Sequence, residues 1–267
     1  MTTPNPEELS SKELLAAHEK LRQSKEYKDQ VVRLSRTTKD FIRGITAVVF
    51  CSKRSPYLGV DSFLFSQVED LIQSTLWIPR FVEEGTFSIP RRDLRYLLEK
   101  TCVYSHLDCS FYGKSLDEKL AIYESKEKAL DCKVVQLLEL SGFTPEQKTS
   151  FCADVMRVYA DLCRYVHPSY HQIMQRNKQI ARHGCLGLET VDELRRFVDE
   201  VVCVFDLILA LYFHALTLSL AGDVFTAYLD DYPDWKFHRQ RWCKAISEGF
   251  DYKTERTSRR NVRPARE

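Results

Sequence analysis

A basic segment that contains no acidic residue runs from Leu162 to Leu188. It holds Arg164, Arg176, Lys178 and Arg182 together with His167, His171 and His183. An arginine can hold a phosphate while a nearby histidine moves a proton, and cleavage of an RNA phosphodiester needs both actions. The alternative interpretation is a solvated basic loop that follows a helix.

The helix that must present this segment is predicted to begin at Thr144, with its polar face turned to solvent. Its core stripe comprises Val155, Val158, Tyr159, Leu162 and Val166. At about 100° per residue, Arg157 and Arg164 lie opposite this stripe and His167 lies on its flank. Pro168 ends the helix directly after His167, so the negative end of the helix dipole favours the charged imidazolium there.

The run LCRYVHPSYH carries a resemblance to a known family. Six residues separate Arg164 from His171, and this spacing resembles the motif of HEPN-type helical proteins, in which a His follows an Arg after four to six residues. The resemblance extends over about 60–222. It includes a short connection at Gly85, the run RRDLRYLLE at 91–99 and a final apolar helix.

The resemblance implies an all-α, antiparallel helical bundle that forms a homodimer with both motifs in one composite cleft. In the nuclease branch it implies metal-independent RNA cleavage, with the ribose 2′-OH as nucleophile and a 2′,3′-cyclic phosphate as product. The implied setting is a prokaryotic toxin or antiphage-defence system, with RNA and an antitoxin or defence protein as partners.

The residue roles that the resemblance implies fall on the basic segment. Arg164 would neutralise the scissile phosphate, and His171 or His167 would act as base or acid. Tyr170 and Ser169 would orient the histidine. The second hypothesis keeps the bundle without the chemistry, as a helical interaction or regulatory module.

Further basic residues extend the predicted RNA-binding surface. They are Arg157, Arg176, Lys178, Arg182, Arg259 and Arg260. The last two belong to a basic tail that starts at Asp251 and has few apolar residues, a composition that predicts disorder. Each contact of such a side chain with a phosphate would add salt-dependent affinity without sequence preference, and the alternative is a solvated tail.

The spacing of apolar residues by three and four, without alternating strand runs, predicts an all-α fold. Capping patterns predict helix starts at Ser10, Ser115, Thr144 and Thr190, and Ser88 with Pro90 marks a fifth start. We expect a helical arm at 1–59, a HEPN-like bundle at 60–222 and a polar C-terminal extension at 223–267.

The apolar run at 201–220 is almost long enough to cross a membrane. It contains Asp206 and His214, and the preceding turn is amphipathic, so we interpret it as a central bundle helix rather than a membrane span. A buried Asp206 needs a partner, and Arg92 and Arg95 are the candidates.

The composition limits which partners and which cellular compartment we expect for the protein. The 267 residues carry 39 Lys and Arg against 38 Asp and Glu, a formal charge of +1, so attraction to nucleic acid must come from local patches. The first residues lack a secretory signal pattern, and nine cysteines without a CxxC pair suit reduced thiols, so we expect a cytoplasmic protein.

Cys102, His106 and Cys109 share one helix face and could begin a zinc site, whereas Cys163 and His167 are a better pair of ligands that lacks further partners. Ligands on consecutive turns spread along about 10 Å of helix axis, too far to share one ion without distortion. We interpret the first three as part of a core stripe and predict neither a metal nor a cofactor.

Overall fold

The computed structural model describes residues 11–126, 129–166, 170, 173–174, 177 and 190–250. Its helices are α1 Ser11–Gln23, α2 Lys25–Ser52, α3 Pro56–Val60, α4 Phe63–Ser66, α5 Val68–Glu83, α6 Ser88–Ser110, α7 Leu116–Lys126, α8 Pro145–Cys163, α9 Val191–Ala215, α10 Leu218–Val224 and α11 Arg241–Glu248. Two 3₁₀ turns, Cys132–Leu137 and Lys236–Arg239, and one π turn, Phe225–Leu229, complete the set. These residues contain no strand, and the predicted all-α fold is confirmed as a helical bundle.

Three of the predicted helix starts, at Ser115, Thr144 and Thr190, are set by local hydrogen bonds, and Ser10 lies outside the described residues. The hydroxyls of Thr144 and Thr190 each accept the backbone N–H three residues on, and the side chains of Gln147 and Glu193 accept the cap N–H in return. Ser115 caps α7 in the same way, and α6 begins at Ser88 as predicted. Such caps satisfy backbone donors that the first turn leaves without partners.

The central element is α9, which is buried on nearly all sides. It packs against α2, α6 and α11, and of the side chains from Val201 to Phe213 only Cys203 is partly exposed. A helix that is apolar all round is typical of the middle of a large core, which accounts for the apolar run as far as Ala215. The end of the run belongs to α10, where Leu218 is exposed. Within the residues described, no helix is both long enough and apolar enough to cross a bilayer.

The core is larger than the predicted bundle at 60–222. Leu34 and Phe41, which precede that range in the chain, and Trp235 and Phe237, which follow it, are all fully buried. The Trp235 indole donates a hydrogen bond to the Asp40 backbone carbonyl, at 2.7 Å. Residues 223–250 therefore contribute to the core rather than forming the predicted polar extension. Most of their large apolar side chains are buried, although Tyr228 and Tyr232 are exposed. The tail from 251 lies outside the described residues.

Asp206 is buried, but neither predicted arginine is its partner. Its carboxylate accepts the backbone N–H groups of Trp242 and Cys243, at 2.9 and 3.0 Å, in the first turn of α11. Burial raises the pKa of Asp206, while these two hydrogen bonds oppose that rise. Asp206 thus ties the last helix to α9, and Arg92 and Arg95 point toward α8 instead.

A buried ion pair joins α7 to the start of the bundle. Lys119 is fully buried, and its ammonium donates to the Asp108 carboxylate at 2.8 Å, the Tyr57 hydroxyl at 2.6 Å and the Asp61 carbonyl at 2.7 Å. Asp108 also accepts from the Ser62 hydroxyl and from two backbone N–H groups of α4. Every charge in this network is therefore hydrogen-bonded, as buried charges require.

His214 makes the stability of the bundle depend on pH. Its ring lies 4.4 Å from the ring of Phe143, and its Nε2 has no hydrogen-bond partner among the described residues. Burial lowers the pKa of His214 to about 4, from an ordinary value of 6.5. As the pH falls, His214 is protonated in the unfolded chain at a higher pH than in the folded chain. The stability that the uncharged His214 gives the fold is therefore complete above pH 6.5 and is lost as pH falls toward 4. We expect it to amount to about 3 kcal/mol.

Urea unfolding at neutral pH and near pH 4.5 measures this effect. His214→Phe keeps a ring against Phe143 but cannot be protonated, so its free energy of unfolding should fall less between the two pH values than that of the wild type. An equal fall in both proteins would contradict the role given to His214.

Candidate functional site

A groove of about 450 Å³ opens between α8 and α9. It is lined by Arg157, Val158, Asp161, Leu162, Arg164, Tyr165, Arg196, Asp199, Glu200, Cys203 and Val204. The opening exists because α8 packs mainly on α6 and on the 3₁₀ turn Cys132–Leu137 and touches α9 only lightly. The groove is therefore bordered by the outward face of α8, on which the sequence places its arginines.

Arg164 stands at the C-terminal end of α8 and reaches into this groove. Its side chain is 56% exposed, and its Nη2 lies 3.1 Å from the Asp161 carboxylate, one turn back. Arg157 is also exposed, so the predicted outward direction of both arginines is confirmed. An exposed ion pair of this kind contributes only about 0.2–1 kcal/mol, which leaves the guanidinium able to turn toward a stronger anion.

The groove and its ion-pair partners carry an excess of positive charge. Asp154 is shared by Arg157 and Arg241, at 3.2 and 2.6 Å. Asp199 binds Arg33 and Glu200 binds Arg91. No carboxylate among the described residues pairs with Arg196. The lining itself holds three arginines and three carboxylates. With the surrounding ion-pair partners included, six arginines stand against four carboxylates, so the positive excess comes from the residues around the groove.

The turn that follows α8 is held in place from α6. Arg91 is 5% exposed and binds Glu200 through both Nε and Nη2, at 2.6 and 3.1 Å. Its guanidinium lies over the ring of Tyr165, 4.6 Å from the centroid, and the neighbouring Arg92 donates to the Tyr165 carbonyl at 2.8 Å. These contacts fix the backbone directly after Arg164, so Arg91 and Arg92 act as positioning residues.

Sequence reasoning did not assign Arg91 and Arg92 to the site. The only signal for them is the pair of adjacent arginines in RRDLRYLLE, at the start of a predicted helix. Glu200 is 109 positions away from Arg91, and nothing local in the sequence connects the two.

Several predicted site residues lie outside the described residues. These are His167, Ser169, His171, Arg176, Lys178, Arg182, Arg259 and Arg260. Tyr170 is described and is 78% exposed. The structure thus brings Arg157 and Arg164 to one groove, and the approach of an imidazole to Arg164 stays a prediction.

Cys102, His106 and Cys109 lie on α6 but have different surroundings. Cys102 is buried, with its Sγ 3.5 Å from that of Cys132, whereas His106 pairs with Ser110 and Cys109 is exposed. The Cys132 contact and burial raise the pKa of the Cys102 thiol well above its ordinary value. Cys102 is therefore a core residue, as interpreted from the sequence, whereas that interpretation is wrong for the exposed Cys109. Within the part of the chain described, no three His, Cys, Asp or Glu side chains converge as metal ligands.

Comparisons of the chain with models of protein families, with curated proteins and with solved structures gave no match. The HEPN resemblance consequently rests on the sequence pattern around Arg164 and on the helical fold.

Proposed function

We propose that this protein is a metal-independent, HEPN-like endoribonuclease that holds a phosphate of RNA at Arg164. The observation that carries the proposal is the exposed guanidinium of Arg164 in an open groove that two further arginines line. An arginine aimed at the phosphoryl oxygens stabilises the negative charge that develops on them during cleavage.

The reaction assigned to the site is an in-line transfer within the RNA strand. The ribose 2′-oxygen forms a bond to phosphorus while the bond from phosphorus to the 5′-oxygen of the next nucleotide breaks. His171 or His167 takes the proton of the 2′-OH or gives one to the leaving 5′-oxygen, in the ordinary roles of general base and acid. The products are a 2′,3′-cyclic phosphate and a free 5′-OH.

The biological setting belongs to the same proposal. Uncontrolled cleavage of RNA is harmful to a cell, which suits a prokaryotic toxin or antiphage-defence protein that an antitoxin or defence partner restrains. A cytoplasmic homodimer with both grooves in one cleft is the proposed active form.

Cleavage of single-stranded RNA in EDTA tests this function. We expect purified protein to cut RNA of varied sequence without added metal and to leave a 2′,3′-cyclic phosphate. A strand with 2′-O-methyl riboses, which has no free nucleophile, should stay intact. Absence of cleavage across varied RNAs, or cleavage of the methylated strand at the same rate, would contradict the proposal.

The second candidate function is a non-catalytic helical interaction or regulatory module. The contact between Arg164 and Asp161 favours it, because residues three apart on a helix can pair simply to stabilise the helix end. In that case Arg164→Ala and Asp161→Ala would lower stability or dimerisation by similar amounts, and neither change would affect RNA. Thermal unfolding and sedimentation of both variants separate this candidate from the nuclease.

A further inference from the structure

Lys236 begins the 3₁₀ turn Lys236–Arg239, which packs against α2, and its side chain is partly exposed. Its Nζ donates to the hydroxyl of the fully buried Thr37, at 2.8 Å. That hydroxyl gives its own proton to the Arg33 carbonyl, also at 2.8 Å, so toward the lysine it can only accept. One N–H of an uncharged amine satisfies this contact. The lone pair of the amine therefore stays free to react.

Two arginines and two aspartates are the charged groups that act on this amine. Arg33, Arg36 and Asp40 belong to α2, and Asp199 belongs to α9. Both carboxylates also face arginines, since Asp199 binds Arg33 and the Asp40 carboxylate lies 3.8 Å from the Arg36 Nε. Burial and Arg33 lower the pKa of Lys236 to about 8, from an ordinary value of 10.5. Roughly a tenth of the amine is then uncharged at pH 7, against less than about one part in a thousand for an ordinary lysine.

We propose that Lys236 is a site of acylation by small activated acyl donors, either acyl phosphates or acyl thioesters. The lone pair of Nζ attacks the acyl carbonyl carbon and forms a C–N bond. The bond from that carbon to the phosphate oxygen or the thiol sulfur breaks, the leaving group keeps the electron pair, and the amine proton passes to water. The product is an uncharged amide.

Acylation would change the charge beside the groove. It removes one positive charge from the surroundings of Asp199, a carboxylate that lines the groove. The proposal does not depend on RNA cleavage, so the proposed function and the acylation site can fail separately.

Competitive labelling of the full-length protein tests this site. Trace acetyl phosphate is added in one arm and the acetyl thioester of a small thiol in the other, each with an unstructured, end-blocked peptide that carries one lysine. Mass spectrometry of the digested mixture measures acetylation at each lysine. At pH 7 we expect Lys236 to react roughly tenfold faster than the peptide lysine, because its larger uncharged fraction outweighs its partial burial. The rate at Lys236 should level off above about pH 8, while the rate of the peptide keeps rising.

Arg33→Gln removes the guanidinium that helps to lower the pKa of Lys236. This variant should be acetylated several-fold more slowly at Lys236 at pH 7 but at the wild-type rate at pH 10. Arg195→Gln is the matched control, since Arg195 is exposed on α9 and pairs with Asp192 at 2.7 Å. It should keep the wild-type rate at both pH values. Thermal unfolding of both variants checks that they are folded.

Faster labelling of Lys236 by only one reagent would support the site and identify its class of donor. If neither reagent labelled Lys236 faster than the peptide lysine at pH 7, the site would be overturned. An equal rate at pH 7 in Arg33→Gln and the wild type would contradict the role given to that arginine.

Discussion

Arg164→Ala is expected to slow RNA cleavage by about 100-fold or more, as loss of one charge-stabilising donor does in other enzymes. The fold should be almost unaffected, because Arg164 is exposed and its ion pair with Asp161 is worth less than about 1 kcal/mol. We therefore expect the thermal midpoint to change by no more than about 3 °C. Single-turnover cleavage and thermal unfolding of the same preparation measure both quantities.

Arg80→Ala is the matched control for this variant. Arg80 is exposed on α5, pairs with Glu83 three residues along its helix at 3.0 Å, and does not line the groove. The Arg80→Ala variant should cleave RNA at the wild-type rate. If Arg164→Ala is purified in the same way and is inactive, a contaminating nuclease is excluded as the source of the cleavage. Wild-type activity in Arg164→Ala would remove that arginine from the mechanism.

Lys119→Met is expected to lower the free energy of unfolding by about 3 kcal/mol or more. Methionine fits the space of the lysine side chain but donates no hydrogen bond. The Asp108 carboxylate, the Tyr57 hydroxyl and the Asp61 carbonyl would each lose a donor in a site closed to water. Urea unfolding measures the loss, with the midpoint falling while the denaturant slope stays unchanged.

Lys114→Met gives the comparison at the protein surface. Lys114 pairs with Glu118 four residues on, at 3.2 Å, and both side chains are exposed. Its loss should cost less than about 1 kcal/mol. If the two lysine variants were equally stable, the buried network would not hold α7 to the bundle in the way described.

Features fixed by neighbouring residues were predictable from the sequence. The caps at Thr144 and Thr190 use partners three residues away, so their spacing alone identifies them. The outward direction of Arg157 and Arg164 follows from the helical period once the core stripe is known. The contact between Asp161 and Arg164 is of the same local kind.

Features fixed by distant residues were not predictable. The sequence shows that Asp206 is buried and must have a partner, but the partner is the first turn of α11, some 36 positions away. Trp235 stands among polar neighbours in the sequence, a pattern that predicts a surface segment. In the structure its side chain packs against α2. In both cases the choice of partner depends on where the helices meet, which no local spacing records.

The candidate site combines both kinds of information. The sequence points to Arg164, whereas the groove needs α9 to supply its other wall and Arg91 to hold the following turn. Positions 109 apart meet there because α6 and α9 pack side by side. The sequence alone could therefore nominate the arginine but could not define the cavity around it.

Binding of a single-stranded 2′-O-methyl RNA, at several salt concentrations, tests most directly whether Arg164 holds a phosphate. The methylated strand is not cleaved by the proposed reaction, so affinity is measured without turnover. The account predicts that Arg164→Ala weakens binding and lowers the slope of log affinity against log salt by about one phosphate contact, while Arg80→Ala leaves both unchanged. Identical affinity and slope for wild type and Arg164→Ala would contradict it.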